Sequence, residues 1–227
     1  MKISGLQKLS LVDFDGHIGC TIFLSGCNFA CPFCHNSRLV KNNEAEIPQG
    51  EVMEYLVKRK NMLDSVTISG GEPTIYPDLP DFIAKIKKLG YLIKLDTNGT
   101  NPQMIKDLFE YNLIDYVAMD IKNSYRNYNL TCGKILDIDK IKESIKYIMN
   151  CGIDYEFRTT LVDGHHNHED IKAIGKMIKN AKRYYLQKFE DSGECIEDNL
   201  QAIPKVTALE YKEILEKNIE KVFLRGY

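Results

Sequence analysis

The stretch Gly26 to Asn36, GCNFACPFCHN, holds Cys27, Cys31 and Cys34 in a C-x3-C-x2-C spacing. Closely spaced thiolates bind metal. A structural zinc site takes four ligands, and an iron–sulfur cluster usually takes four thiolates. Here one place is left over. His35 is the nearest candidate for it, but it directly follows Cys34 and is poorly placed to chelate the same ion. A cubane cluster on three thiolates would leave one iron open to a non-protein ligand, just as a catalytic zinc keeps an open position. On these residues alone, zinc and cluster both stay open.

Other residues of chemical character recur at the ends of short β-type runs. SVTISG ends in Ser69, Gly70, Gly71, Glu72, Pro73 and Thr74. YLIKLDTNG ends in Asp96, Thr97, Asn98 and Gly99. IDYVAMDIK ends in Asp120 and Lys122. IDYEFRTTLV carries Arg158, and KRYYLQKFE carries Gln187. Each has an ordinary reading by itself: a charge at a helix start, a turn, a snorkelling lysine. Their repeated position points instead to one shared site.

The elements that place them alternate. The strand CTIFLSG leads into the cysteine loop. After a polar stretch from Lys41 to Gln49, GEVMEYLVKRKNML, DLPDFIAKIKKLG, PQMIKDLFEYN, DIDKIKESIKYIMNCG and HEDIKAIGKMIKN show helical spacing between the strands. Asp78 is a plausible N-cap, Pro102 suits a first helical turn, and Gly90 and Gly152 read as helix stops. About six β-then-α units imply parallel strands with right-handed crossovers: an α/β fold, a partial (βα)6 TIM-type barrel whose site lies at the C-terminal strand ends. The N-terminal residues alternate like a strand. TALEYKEILEKN and KVFLRGY add a late helix and an edge strand. A single domain is expected over 1–227, with its core at about 12–190 and the C-terminal helix and strand at 204–227.

Composition narrows the function classes. Of 227 residues, 44% are hydrophobic and 27% charged, enough for an ordinary core without disulfides. The net charge of −2 gives no electrostatic case for nucleic acid or an anionic membrane. No apolar run approaches a spanning helix, and the N-terminus has no signal-peptide core, so a cytoplasmic location is expected. Seven cysteines argue against a disulfide framework, and Cys20, Cys132, Cys151 and Cys195 read as small buried hydrophobes. His165, His166 and His168 in DGHHNHED read as solvated or capping residues, or as a loop touching a protein substrate, more readily than as a metal site.

The C-x3-C-x2-C loop followed by a GGEP strand end resembles the radical S-adenosylmethionine superfamily, over about Val12 to Glu190. The resemblance implies the radical SAM fold, a 4Fe–4S cluster on Cys27, Cys31 and Cys34, and S-adenosyl-L-methionine chelated to the open iron. One electron then cleaves the sulfonium to methionine and a 5′-deoxyadenosyl radical, which abstracts a hydrogen atom. It implies a cofactor site of Phe33, near the adenine, with Gly70, Gly71 and Glu72 at the methionine end. Lys122 and Arg158 would lie by the carboxylate or ribose, and Asn98 and Gln187 would complete the site. No catalytic residue beyond cluster and cofactor is implied.

More narrowly, GCNFACPFCHN with LDTNGT and MDIK resembles the glycyl-radical-enzyme activases, in which Asn36 matches a cofactor-contacting position and Asp96, Thr97 and Asp120 match ligands of a monovalent cation. LVDFDGHIGCTIFLSGCNFACPFCHN and LQKFE resemble the anaerobic ribonucleoside-triphosphate reductase activating proteins, whereas DFDGHIGC departs from the DGPGIR type of run in pyruvate formate-lyase activase. The implied partner is a glycyl radical enzyme, a class III ribonucleotide reductase, with an external one-electron donor such as flavodoxin or ferredoxin. Two readings stay beside it: a radical enzyme acting on a small molecule, like 7-carboxy-7-deazaguanine synthase, and a non-catalytic iron–sulfur or zinc module.

Overall fold

The computed structural model describes residues 1–40, 44–191 and 193–227. Lys41 to Asn43, at the start of the expected polar stretch, lie outside the described residues. Eight strands form one sheet in sequential order: β1 (Ile3–Ser10), β2 (Gly19–Leu24), β3 (Ser65–Gly70), β4 (Leu92–Thr97), β5 (Tyr116–Asp120), β6 (Asp154–Leu161), β7 (Tyr184–Lys188) and β8 (Val222–Arg225). β1 runs antiparallel to β2, and every later pair is parallel. Among the described residues β1 and β8 do not pair, so the barrel stays open along a seam between them. The expected incomplete parallel barrel is the observed one, extended by β1 and by a seventh parallel strand.

Helices α1 (Ser37–Val40), α2 (Gln49–Arg59), α3 (Leu79–Lys88), α4 (Pro102–Glu110), α5 (Tyr128–Cys132), α6 (Ile138–Asn150), α7 (His168–Met177) and α8 (Lys205–Leu215) make the crossovers. Their apolar stripes recur at helical spacing and turn inward: Leu79, Phe82, Ile83 and Ile86 in α3, and Ile141, Ile145 and Ile148 in α6. They cover the outer face of the sheet, where Ile22, Val66, Ile68, Ile93, Leu95, Val117 and Phe157 are buried. Burial on that scale stabilises by about 1.5–3 kcal/mol per large side chain. Asp78 does occupy the N-cap of α3, but its side chain makes no capping hydrogen bond. Asn101 and Asn167 do cap α4 and α7. No described helix is long and apolar enough to cross a membrane.

The inner face is polar. Lys94 and Glu156 are buried inside the barrel, with Lys94 Nζ 3.8 Å from Glu156 Oε1. Tyr116 donates its hydroxyl to Glu156 Oε2 at 3.0 Å, and Arg225 of β8 lies 3.6 Å from Oε1. The loop after β1 lies against these strands. Lys94 donates to the Asp13 carbonyl, Phe14 packs on Tyr116 with ring centroids 5.3 Å apart, and Tyr185 donates to Asp15.

Candidate active site

Strand alternation decides which side chains reach the mouth. Asp96, Asp120 and Arg158 point into the barrel from β4, β5 and β6, and they meet. Arg158 Nε bonds Asp120 Oδ1 while its Nη2 lies 3.1 Å from Asp96 Oδ2. Ser69 at the end of β3 donates to Asp96 Oδ2 at 2.9 Å, and Lys122 Nζ is 2.9 Å from Asp120 Oδ2. Burial alone would raise the Asp120 carboxyl, but the Arg158 and Lys122 cations hold it well below the usual carboxylate range. Burial works against the Lys122 ammonium, yet Asp120 beside it holds it above lysine's ordinary range.

The cysteine loop closes over this row. Two glycines make the approach possible. A Cβ on Gly71 would stand 1.9 Å from the Gly26 carbonyl oxygen, and Gly70 has φ +114° with its Cα against the Leu24 backbone. Gly71 N and Glu72 N donate to Leu24 O and Gly26 O at 2.8 and 2.9 Å, so the end of β3 is bonded directly to the loop bearing Cys27. Asn36 donates to Gly70 O at 3.2 Å from the loop's other side. The result is a cavity of about 430 Å³ lined by all three thiols. A cavity of a few hundred cubic ångströms is the size of a small-molecule or cofactor site.

Of the residues expected at this site, Cys27, Cys31, Cys34, Phe33, Asn36, Gly70, Gly71, Asp96, Thr97, Asn98, Asp120, Lys122, Arg158 and Gln187 all line the cavity. Glu72 does not. It is 0% exposed and accepts from Thr74 N, Thr74 Oγ1, Thr97 Oγ1 and Asn98 N, the last two at 2.7 and 2.6 Å. Burial raises its carboxyl above the usual carboxylate range, and the four donors offset only part of that rise. Its side-chain oxygens tie together the loops after β3 and β4. Of the residues that the resemblance makes cation ligands, Thr97 and Asp120 have protein partners, whereas Asp96 keeps Oδ1 without a hydrogen bond among the described residues. Thr97 Oγ1 is held between Glu72 and Gly99 N, and both Asp120 oxygens take Lys122 and Arg158.

Asp13, Phe29, Val40 and Thr160, not marked by spacing or motif, share the lining. Thr160 was findable, two residues past Arg158 on the same face of β6. Asp13 was not, because its place depends on the fold of the loop after β1. The histidines separate. His166 is buried between Val162 and the Lys122 carbonyl, with burial lowering its pKa. His165 packs edge-on to Phe33 at 5.6 Å, and exposed His168 pairs with Glu210. His35 stacks on Phe189 at 5.5 Å.

The residues fit a cluster and a nucleoside-type cofactor. Cys27, Cys31 and Cys34 face one cavity, and a cubane gives each thiolate its own iron. Phe29 N donates to Cys27 Sγ at 3.3 Å. Burial pushes the Cys27 and Cys31 thiols up to about 12, so metal must displace their protons. In the lining, Asp96 Oδ1 is a buried acceptor without a hydrogen bond among the described residues, suited to a ligand that carries donors.

An open parallel barrel with three thiols and a polar, cofactor-sized cavity at its strand ends defines a cluster-dependent enzyme class. Residues 21–178 match the family described as the Radical SAM superfamily, and the chain belongs to it. It is a radical S-adenosylmethionine enzyme whose cofactors are a 4Fe–4S cluster and S-adenosyl-L-methionine. Among its relatives is a Methanocaldococcus jannaschii protein named as a candidate glycyl-radical enzyme activating enzyme, 34% identical over 98% of this chain and 95% of the relative. The pyruvate formate-lyase-activating enzyme of Clostridium pasteurianum is 27% identical over 85% of this chain and 83% of its own. The fold is shared with Streptococcus suis SuiB bound to S-adenosylmethionine (TM-score 0.69, 16% identity, 91% of this chain and 52% of that one). It is also shared with a domain of pyruvate-formate lyase-activating enzyme from Bacteroides vulgatus (TM-score 0.59, 17% identity, 71% and 99%).

Proposed function

We propose that this protein is an activase that installs a radical on a glycine of a partner enzyme, an anaerobic class III ribonucleoside-triphosphate reductase. The observation that carries the reading is the end-to-end similarity, at 34% identity, to the M. jannaschii candidate activating enzyme. The C. pasteurianum relative and the His35-Asn36 signature support the same reaction class, and the likeness of DFDGHIGC and LQKFE to the reductase activating proteins supports the reductase as partner.

When bound, cluster and cofactor supply one-electron cleavage of a sulfonium and a radical that takes one hydrogen atom from the glycine Cα, leaving methionine and 5′-deoxyadenosine. This chain's residues bind and orient. Cys27, Cys31 and Cys34 hold the cluster. Phe33 forms a wall for the adenine. Gly70 and Gly71 let the backbone approach the methionine end, with Asn36 fastened to Gly70 O. Lys122 and Arg158, themselves fixed by Asp120 and Asp96, receive the anionic and polar groups of the cofactor, and Asn98 and Gln187 complete the lining. Enclosure by the loops excludes water from a reactive species. The reaction would take place in the cytoplasm, with electrons from ferredoxin or flavodoxin.

The test is anaerobic incubation of the reconstituted, reduced protein with S-adenosylmethionine and the partner reductase. The expected result is a glycyl-radical electron paramagnetic resonance signal in the partner, matched by 5′-deoxyadenosine. Formation of 5′-deoxyadenosine with every candidate partner left radical-free would refute the activase reading and leave the superfamily chemistry intact.

A further inference from the structure

The cavity chemistry needs an electron from outside. Among the described residues no second group of metal-ligating side chains exists to store one. Cys20 lies in β2, Cys132 closes α5, and neither Cys151 nor Cys195 joins the cavity lining. An electron must therefore cross the surface close to the cluster loop.

Two segments flank that loop, and they differ in character. On one side a strap after β7 is bonded to it: Ile196 N and Glu197 N donate to Pro32 O, and Arg38 pairs with Glu194 at 3.0 Å. This strap carries Glu190, Asp191, Glu194, Glu197 and Asp198. On the other side the end of α5 meets the loop backbone to backbone. Ala30, between Cys27 and Cys31, donates its N–H to Cys132 O at 2.9 Å. Gly133, at φ +65°, lies so close that a Cβ would stand 2.3 Å from Ala30 O. The turn beyond it is fixed by Leu136 N donating to Asn129 Oδ1 at 3.0 Å. On this fixed turn Leu130 is 73% exposed and Ile135 94% exposed, the highest exposure of any large hydrophobic residue described. Neither contributes to the core. Lys134 stands between them in sequence, Arg126 precedes α5, and both are exposed with no ion pair among the described residues.

We propose that the α5 turn, with Leu130 and Ile135 as apolar anchors and Lys134 and Arg126 as a basic rim, is the docking site of a small acidic one-electron carrier protein of the ferredoxin or flavodoxin class. Redox encounters use small interfaces, so two exposed aliphatic side chains are an adequate centre. Charge complementarity selects the side: the strap is acidic, whereas on the α5 turn Lys134 and Arg126 are unpaired among the described residues and, of the two acids that follow, Asp139 is paired with Lys142 at 2.7 Å and Asp137 caps α6. One electron leaves the reduced carrier and enters the oxidised cluster, so the carrier is oxidised by one electron as the cluster is reduced by one. This rests on the cluster and cofactor chemistry of the proposed function, not on which partner is activated.

The experiment compares 5′-deoxyadenosine formation driven by photoreduced ferredoxin, by photoreduced flavodoxin, and by dithionite, which needs no docking. In the Leu130→Ser/Ile135→Ser variant, the carrier concentration for half-maximal rate should rise about tenfold or more, the loss typical of removing central anchors, while the dithionite rate stays at the wild-type value. Lys134→Glu should slow the carrier-driven reaction and weaken its dependence on salt. Unchanged carrier-driven rates, or equal losses with carrier and dithionite, would overturn the proposal. So would normal carrier-driven cleavage with lost activation of the partner, which would assign the turn to the partner enzyme. A wild-type protein that accepts electrons from dithionite but from neither carrier would also overturn it. Failure of the wild type with dithionite would instead strike the cofactor chemistry itself.

Discussion

Replacing Glu72 by glutamine tests the assignment of this buried carboxylate to the scaffold. Its two oxygens face four donors: Oε1 takes Thr74 N, Thr74 Oγ1 and Thr97 Oγ1, and Oε2 takes Asn98 N. Thr97 Oγ1 already accepts from Gly99 N, so its own proton is free for Glu72. A glutamine oxygen can keep the first three contacts. Its amide NH2 must then stand where Oε2 was, donor against the donor of Asn98. One charge-assisted hydrogen bond is lost, at about 1.5–3 kcal/mol, and a buried N–H is left without an acceptor, at about 1–3 kcal/mol. Glu72→Gln should therefore destabilise by about 3–5 kcal/mol, a fall in melting temperature of roughly 10 °C for a chain of this size. The assay is thermal unfolding of the metal-free protein at neutral pH without oxygen. A loss below about 1 kcal/mol would refute the reasoning, because it would mean that the folded carboxyl carries a proton and that glutamine merely replaces it.

Three further outcomes follow from the same site. Gly71→Ala places a methyl 1.9 Å from Gly26 O, so the cysteine loop must move and iron per polypeptide after reconstitution should drop to a minor fraction; full iron content would contradict the packing. Cys27→Ala, Cys31→Ala and Cys34→Ala should each abolish the visible absorbance of the reconstituted cluster, whereas Cys20→Ala, inside β2, should keep it. Asp120, with its folded pKa held below the usual value near 3.8, contributes stability that is fully present above that value and is lost as pH falls toward the depressed one. Urea midpoints of Asp120→Asn should thus show a flatter acid limb than the wild type, and parallel limbs would argue against the ion pair.

Repeated βα units were readable because each helix has enough residues to display its apolar period and each strand ends at a Gly- or Asp-rich turn. The strand-end rule then carried most of the site, since Asp96, Asp120 and Arg158 needed only their strands to be placed. What escaped was direction and long-range contact. Nothing in GGEP reveals that Glu72 turns away from the cavity, because Thr97 and Asn98, which hold it, lie on another strand's loop. The same applies to Thr97, whose hydroxyl donates to Glu72 across two loops. α5 spans only Tyr128–Cys132, too short for a helical period to show, yet it braces the cluster loop. The polar lumen was hidden because Lys94 sits between Ile93 and Leu95 in a strand that otherwise reads as core.

The row of contacts at the mouth divides the rim into unequal halves. Ser69, Asp96, Arg158, Asp120 and Lys122 cross-link the ends of β3, β4, β5 and β6, each of which also has a neighbour on both sides. Among the described residues β1 and β8 have one neighbour each and bound an unpaired seam. Local opening costs least where hydrogen bonds and buried contacts are fewest. The barrel therefore behaves like a vice with one fixed jaw. The cross-linked side is the one on which Asp96, Asp120 and Arg158 face the cavity. Local opening of the mouth is therefore expected first at the seam, away from that row of charged contacts.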